Sequence, residues 1–266
     1  MSTPSSKGTA LVTGASTGIG AVYADRLARR GYDLILVARN QERLSEVAAQ
    51  LKDTGRNVET LPADLTTREG VKRVAERLST DAHITALINN AGVGSAGKLL
   101  DAKIDDLESM IYLNVTALTR LALAALPGFV ARKNGLLINI SSIVALAPEL
   151  LNGTYSGSKA YVVNFTQALE KELEGKGVRV QAVLPGAIAT PFWDKAGLPV
   201  QHLPSGWVMT AENLVDAALA GLDQGELITI PSLPEIGDWE KFEAARKALG
   251  PNLSQKMPAR RYGISA

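Results

Sequence analysis

Seven short apolar segments alternate along this chain with longer segments that have the periodicity of helices. Short apolar runs of this kind are typical of strands buried on both faces of a parallel sheet, with the intervening helices as cover. The pattern therefore predicts an α/β fold, a doubly wound sheet of seven parallel strands with helices on both faces. The predicted strands are 9–13, 33–38, 58–62, 84–89, 135–141, 178–184 and 227–230.

Two segments depart from this alternation. Residues 186–210 carry several prolines and tryptophans after the sixth strand, which is typical of a substrate loop. Residues 231–266 form a C-terminal extension with one predicted helix, 238–249. We expect a single domain across residues 1–266, because a chain of this length with 46% hydrophobic residues can bury one large core. The other predicted helices are 19–30, 41–54, 68–78, 107–130, 154–174 and 211–222.

Composition excludes several classes of function. The net charge of +1 gives no electrostatic reason to expect binding to nucleic acid or to an acidic membrane surface. The absence of cysteine excludes disulfides and thiolate chemistry, and two histidines, His83 and His202, are too few for a credible metal site. No uninterrupted apolar run approaches the roughly 20 residues that span a bilayer. We therefore expect a cytoplasmic protein with a small-molecule partner and no bound metal.

A glycine-rich segment follows the first predicted strand and leads into a helix. Glycines at this place allow a tight turn and a close approach of the backbone to a pyrophosphate, and the helix N-terminus favours phosphate. An ordinary strand-to-helix turn is the alternative. The strand–turn–helix context favours a dinucleotide site, formed by Gly14, Ser16, Thr17, Gly18, Ile19 and Gly20.

The end of the second strand indicates which dinucleotide is bound. An NAD-binding chain usually places a carboxylate about 20 residues after the glycines, for the ribose 2′-hydroxyl. Here Ala38 takes that place, followed by Arg39 and Asn40. A guanidinium binds a 2′-phosphate through paired, charge-assisted hydrogen bonds, which a carboxylate would repel. We therefore expect NADP(H), with a solvated Arg39 as the alternative.

An ordered set of motifs across residues 9–190 resembles the short-chain dehydrogenase/reductase family. The resemblance implies a single Rossmann-fold domain in which Asp64 and Leu65 flank the adenine and Asn90, Ala91 and Gly92 line the ribose side. It further implies that Pro185, Gly186, Ile188 and Thr190 lie at the nicotinamide end. An Asp64 that merely caps the next helix is the alternative at that position. The motifs are 13–20, Asp64-Leu65, Asn89-Asn90-Ala91-Gly92, Asn114, Ser142, Tyr155-x3-Lys159 and Pro185-Gly186-x-Ile188-x-Thr190.

Tyr155 and Lys159 are four residues apart, so they share one face of a helix. An ammonium beside a phenol favours the phenolate and lowers the tyrosine pKa from its usual value near 10. Tyr155 would then donate a proton during carbonyl reduction and accept one in the reverse direction. The resemblance implies that both residues also contact the cofactor, with Lys159 holding the nicotinamide ribose.

Two further catalytic residues are implied by the resemblance. Ser142 is expected to orient the substrate carbonyl, and the family's offset to the tyrosine selects it over the adjacent Ser141. Asn114 is expected to support a water that connects the lysine to solvent, with a satisfied core asparagine as the alternative.

Apolar residues of the loop and of the segment after Ser142 suggest the substrate pocket. The candidates are Val144, Leu150, Phe192 and Trp193. We expect reduction of a neutral ketone or aldehyde to an alcohol. A 3-oxoacyl-(acyl-carrier-protein) reductase, a hydroxysteroid-type dehydrogenase and a non-catalytic NADP-binding sensor are the alternatives. The family commonly pairs the helices that carry Asn114 and Tyr155, which implies a homodimer or a homotetramer.

Overall fold

A computed structural model describes residues 5, 7–95, 97–192 and 202–264 of the chain. These residues fall into two compact units, Met1–Pro231 and Ser232–Ala266. The expectation of one domain across residues 1–266 stays a prediction.

The first unit is built on a sheet of seven parallel strands in the order β3-β2-β1-β4-β5-β6-β9. The order reverses between β1 and β4, so their carboxyl ends border the crevice in which such sheets bind ligands. The predicted sheet is confirmed; three strands end one residue earlier than predicted, and β9 also begins one residue later. The strands are β1 Thr9–Thr13, β2 Asp33–Ala38, β3 Val58–Pro62, β4 Ile84–Asn89, β5 Gly135–Ile140, β6 Val178–Val183 and β9 Ile228–Thr229.

Helices cover both faces of the sheet and bury an apolar core on each side. On one face lie α1, α2 and α7, and on the other lie α3, α5 and α6. The helix predicted at 107–130 is present, but a π-helical segment, Tyr112–Ala117, divides it. The helices of this unit are α1 Gly18–Arg29, α2 Gln41–Gln50, α3 Arg68–Thr80, α4 Ile104–Ile111, α5 Leu118–Arg132, α6 Gly153–Glu172 and α7 Ala211–Gln224.

One continuous helical stretch among the described residues, Ile104–Arg132, is long and apolar enough to cross a membrane. Its mean hydropathy is high enough for this, although Arg120 interrupts the apolar run. Half of its most apolar window is buried inside the protein. Leu121, Ala125 and Phe129 of this stretch belong to the apolar core on one face of the sheet. It is therefore a core helix of the fold.

The segment predicted to be an irregular loop, 186–210, contains a small parallel sheet of two strands. Strand β7, Ala187–Ile188, pairs with β8, Val208–Met209. The backbone N–H of Ala189 extends this pairing, donating to the carbonyl of Met209 over 2.9 Å. The two ends of the segment are therefore held together beside the sheet. Residues 193–201, which include Trp193, lie outside the described residues.

The described residues of the second unit contain one α-helix, α8, at Ile236–Ala248. It begins two residues before the predicted 238–249 and ends one residue earlier. The rings of Trp239 and Phe242 pack on each other, with their centroids 5.4 Å apart.

Candidate active site

The Thr13 hydroxyl joins the loops that follow β1 and β4. It donates to the carbonyl of Ile88 over 3.2 Å and accepts the backbone N–H groups of Asn90 and Ala91, each over 3.0 Å. The Asn90 amide completes the connection by donating to the carbonyl oxygens of Thr13 and Gly14, over 2.9 and 3.3 Å. The two predicted cofactor loops are thus joined by hydrogen bonds into one edge of the crevice. This role of Thr13 was not predicted from the sequence.

The glycine-rich loop has the backbone that its sequence predicts. Gly14 and Gly18 have positive φ, at 65° and 53°, where a side chain would be strained. A Cβ on Gly20 would collide with the carbonyl of Gly14, and a Cβ on Gly18 would lie 2.9 Å from the methyl carbon of Thr190. Helix α1 has no acidic side chain in its first turn, and Thr17 makes no side-chain cap bond. The helix N-terminus is therefore suited to an anion.

Arg39 and Asn40 lie at the carboxyl end of β2. Arg39 is exposed, and no carboxylate of the described residues lies within ion-pair distance of it. The side chain of Asn40 caps α2 by accepting the N–H of Arg43 over 2.9 Å. The guanidinium of Arg39 is thus available to an anionic group at the edge of the crevice.

Asp64 and Leu65 follow β3 at the same edge of the sheet. The Asp64 carboxylate accepts the backbone N–H and the hydroxyl of Thr66, over 2.9 and 2.7 Å. Thr67 caps α3 by accepting the N–H of Gly70 over 3.0 Å. The alternative in which Asp64 caps that helix is therefore wrong. Leu65 is buried beneath this turn.

Tyr155 and Lys159 lie on the inner face of α6. Their exposed fractions are only 5% and 6%, and the Lys159 Nζ lies 5.8 Å from the centroid of the Tyr155 ring. The Nζ donates to the carbonyl of Ile140, at the end of β5, over 3.0 Å. The two side chains share one face of the helix, as their spacing predicts, and that face lies at the carboxyl end of β5.

Burial dominates the protonation of this pair. It raises the pKa of Tyr155 to about 12, although a hydrogen bond with the Ser142 hydroxyl acts in the opposite direction. It lowers the pKa of Lys159 to about 8. The lowered tyrosine pKa expected from the sequence is not found in the chain alone, because burial raises the pKa more than the hydrogen bond with Ser142 lowers it. At neutral pH the phenol is protonated and is a potential proton donor.

The two adjacent serines after β5 have different surroundings. The Ser141 hydroxyl donates to the backbone carbonyl of Lys159 over 2.7 Å, which ties the strand to α6. Ser142 is the serine whose hydroxyl interacts with Tyr155. Its further contacts, with the Pro185 carbonyl and the Val144 N–H, are both long at 3.4 Å. Only Ser142 therefore presents its hydroxyl to the phenol.

Asn114 lies in the π-helical segment and is buried. Its side-chain oxygen accepts the N–H of Val93 over 3.0 Å, and its nitrogen donates to the Val93 carbonyl and to the Ser158 hydroxyl, over 2.9 and 3.2 Å. Ser158 in turn donates to the Tyr155 carbonyl over 2.7 Å. Both amide donors of Asn114 are used, so the side chain clamps the loop after β4 to α6.

Gly92 and Pro185 bring the remaining predicted loops to this site. A Cβ on Gly92 would lie 3.1 Å from the Asn114 oxygen and 3.5 Å from the Lys159 Nζ. The carbonyl of Pro185 accepts the N–H of Ile143 over 2.9 Å. The loop that continues through Gly186 is thereby held against the segment after Ser142.

An apolar cluster surrounds the Tyr155 ring. Of the predicted substrate residues, Val144 and Phe192 belong to this cluster, whereas Leu150 is 49% exposed and lies outside it. Leu107 and Met110 of α4 were not predicted, although their spacing along the helix that leads to Asn114 marks a buried face. The other members, partly buried, are Val93, Ala102 and Leu151.

Comparison with known proteins places this site in a family. The family model described as short chain dehydrogenase matches residues 8–199. A short-chain dehydrogenase from Sphingobium yanoikuyae, solved in complex with NADPH, is 47% identical, with a TM-score of 0.92 over 95% of this chain and 98% of that chain. The chain belongs to the short-chain dehydrogenase family and is an oxidoreductase that acts on CH–OH groups.

Two further similarities bear on the substrate. The bulky-bulky ketone specific alcohol dehydrogenase from Comamonas testosteroni is 41% identical, with a TM-score of 0.88 over 96% of this chain and 98% of that chain. The 17-beta-hydroxysteroid dehydrogenase type 3 of Homo sapiens is 36% identical over 186 residues, which are 68% of this chain and 59% of the human enzyme.

Proposed function

We propose that this chain is an NADPH-dependent carbonyl reductase, which reduces a ketone to an alcohol and also catalyses the reverse reaction. The observation that carries this proposal is the buried phenol of Tyr155, flanked by Ser142 and Lys159 at the carboxyl end of β5. This group lies at the same edge of the sheet as the glycine-rich loop. An aldehyde would use the same site.

The residues at this edge fit an NADP cofactor. The glycine-rich loop has Gly14 and Gly18 at positive φ and leads into the N-terminus of α1, which would hold the pyrophosphate. Arg39 is exposed at the carboxyl end of β2 and would hold the 2′-phosphate. Thr190, which contacts Gly18, would hold the nicotinamide end. When bound, NADPH supplies the hydride for the substrate carbon.

In the reductive direction Tyr155 donates its proton to the carbonyl oxygen of the substrate. Its raised pKa keeps the phenol protonated at neutral pH, which suits a general acid. The Ser142 hydroxyl donates a hydrogen bond to the same oxygen as negative charge develops there. Lys159 supplies a nearby positive charge and holds the ribose. In the oxidative direction Tyr155 must act as a base, so further positive charge in the site is needed to lower its pKa.

Asn114 supports a water that connects Lys159 to solvent. Its side-chain donors are already used by Val93 and Ser158, so we assign this function to its backbone carbonyl in the π-helical segment. Segments of this kind occur frequently at functional sites, because they change which backbone groups are paired. The side chain then keeps that segment in register with the loop after β4.

The substrate is a neutral ketone with large apolar groups. The cluster around Tyr155 is apolar among the described residues, and the printed specificity of the Comamonas enzyme supports this class. A hydroxysteroid is the second candidate, supported by the similarity to the human enzyme. A nucleotide sensor without turnover is less well supported, because Ser142, Tyr155 and Lys159 are all present.

A carbonyl panel with both cofactors tests the proposal. The oxidation of NADPH or NADH is followed at 340 nm with acetophenone, benzophenone, a 17-ketosteroid and a 3-oxoacyl thioester. We expect reduction of at least one aryl ketone, with a higher kcat/KM for NADPH than for NADH. A preference for the thioester would instead support the 3-oxoacyl reductase, and no turnover with any carbonyl would refute the proposal.

A candidate subunit interface for the predicted homodimer or homotetramer lies on the helical stretch Ile104–Arg132. Ile104, Ile111 and Leu123 expose apolar side chains along the helical stretch that carries Asn114. Light scattering at working concentration should give a mass of two or four chains, and Leu123→Asp should lower it. A monomeric parent would contradict this prediction. The cytoplasmic location stays a prediction.

A further inference from the structure

The aromatic ring of Phe192 covers the phenol of Tyr155. The two ring centroids lie 6.1 Å apart, with an angle of 45° between the ring planes. Phe192 comes from the segment after β7, whereas Tyr155 lies in the first turn of α6. Phe192 therefore contributes to the near-complete burial of the proposed proton donor.

The tip of the same ring lies against Gly94, in the loop that follows β4. A Cβ on Gly94 would collide with the Phe192 Cζ, and it would lie 2.9 and 3.2 Å from the Cε1 and Cε2 atoms. Gly94 does not have a positive φ, so its backbone conformation does not require glycine. The requirement is for space, and the Phe192 ring fills that space.

The Phe192 ring thus contacts both Gly94 and Tyr155, so it lies beside the phenol that the substrate must reach. A substrate carbonyl must reach the Tyr155 hydroxyl, and the buried residues Leu107, Met110 and Val144 already pack in the cluster that contains Tyr155 and Phe192. The ring and one substituent of the ketone therefore compete for the same space. A small substituent can be accommodated beside the ring, whereas a large one must displace it.

We propose that Gly94 is a specificity-determining positioning residue, which lets the Phe192 ring occupy the place of the ketone's larger substituent. This inference rests on the proposed carbonyl reductase function and deepens it. It defines the substrate class by size, because a ketone with two large groups is reduced only when the ring is displaced.

Gly94→Ala removes the space that the ring tip occupies. The ring tip must then move away from Gly94, and because Leu107, Met110 and Val144 are buried around Tyr155, we expect the ring to shift out of the substrate site. A large ketone binds only to the conformation in which the ring is displaced. Because Gly94→Ala already favours that conformation, the variant binds a large ketone more tightly. We expect the ratio of kcat/KM for benzophenone to that for acetophenone to rise about five-fold, mainly through a lower KM for benzophenone.

The kinetic test compares four variants with the parent at saturating NADPH. They are Gly94→Ala, Phe192→Ala, the double variant and the control Gly97→Ala, which adds a methyl group to the same loop where no atom lies within 4 Å. Gly97→Ala should leave the ratio unchanged. Gly94→Ala should have no further effect when Phe192 is already alanine, because it acts through that ring. An equal effect of Gly94→Ala in both backgrounds would overturn the inference.

A second measurement follows the ring without turnover. The chain has four phenylalanines, so ring-selective ¹³C labelling gives few signals, and Phe192→Ala identifies that of Phe192. We expect the Phe192 signal to move in Gly94→Ala, as the ring leaves Tyr155, and to stay in place in Gly97→Ala. A signal that does not move in Gly94→Ala would refute this role of Gly94, even if the parent reduces ketones. A moved signal in a chain that reduces no ketone would support the ring contact and refute the proposed function.

Discussion

Lys159→Met is expected to abolish reductase activity while making the fold more stable. Lys159 is buried at the carboxyl end of β5, and its one hydrogen bond to protein in the described structure goes to the Ile140 carbonyl. Methionine has a similar length and can fill the same space without a charge. The buried lysine therefore lowers the stability of the fold, and we expect it to be kept because catalysis requires it.

The size of this cost follows from the lysine pKa. Burial lowers it from 10.5 to about 8, and each pKa unit corresponds to about 1.4 kcal/mol, which gives about 3 kcal/mol. Below pH 8 the lysine is protonated in both the folded and the unfolded chain, so the full cost is present. Above pH 8 the folded chain releases the proton while the unfolded chain keeps it until pH 10.5. The free energy of unfolding of the parent therefore rises across this window.

Urea denaturation of both proteins without cofactor measures the difference. At pH 7 Lys159→Met should be more stable by about 3 kcal/mol, and at pH 9.5 the difference should fall to about half. Groups that titrate equally in both proteins cancel in this comparison. A variant that is less stable than the parent at pH 7, or a gain that does not depend on pH, would refute the reasoning.

Four other substitutions have clear expectations. In urea denaturation, Tyr23→Phe should leave the free energy of unfolding unchanged or raise it by about 1 kcal/mol, because the buried Tyr23 hydroxyl has no hydrogen-bond partner in the described structure. A loss of stability would contradict this and indicate that the hydroxyl does have a hydrogen-bond partner. Ser142→Ala should lower kcat about 100-fold in the NADPH assay, whereas Ser141→Ala should mainly cost about 1 kcal/mol of stability; equal losses of kcat would contradict this division. Arg39→Ala should reduce the preference for NADPH over NADH at least about ten-fold in kcat/KM, and an unchanged preference would remove Arg39 from cofactor selection.

The sheet could be predicted from the sequence because its strands are buried on both faces. Strand β1, Thr9–Thr13, and strand β4, Ile84–Asn89, have the predicted bounds, since turn residues interrupt each apolar run sharply. The π-helical segment Tyr112–Ala117 could not be predicted, because its residues continue the helical pattern of their neighbours. Its widened turn lies where Asn114 bonds to the backbone of Val93, a contact between distant parts of the chain.

In the candidate site, too, the features set by local geometry could be predicted, whereas those set by tertiary packing could not. Tyr155 and Lys159 were expected on one face, because a spacing of four depends only on helix geometry. Ser141 and Ser142 could not be distinguished from residue type, since two adjacent hydroxyls differ only in the direction that packing gives them. The tyrosine pKa was expected to fall because the lysine charge can be anticipated from the sequence, whereas the extent of burial cannot.

The contact of Phe192 with Gly94 was also beyond sequence reasoning. A glycine in the loop after β4 is typical of a turn, and nothing local indicates that a ring from the segment after β7 needs its space. Phe192 itself was expected at the substrate site from its apolar character alone. Its neighbour Trp193 lies outside the described residues, so its place in the pocket stays a prediction.

Tyr155→Phe tests the central claim most directly, because it removes one hydroxyl oxygen and keeps the buried ring. We expect kcat for ketone reduction with NADPH to fall by at least about 100-fold, since general acid catalysis contributes that much. NADPH binding, measured by the fluorescence of the nicotinamide, should change little. A Tyr155→Phe variant that binds NADPH and reduces the ketone as fast as the parent would contradict the proposed mechanism.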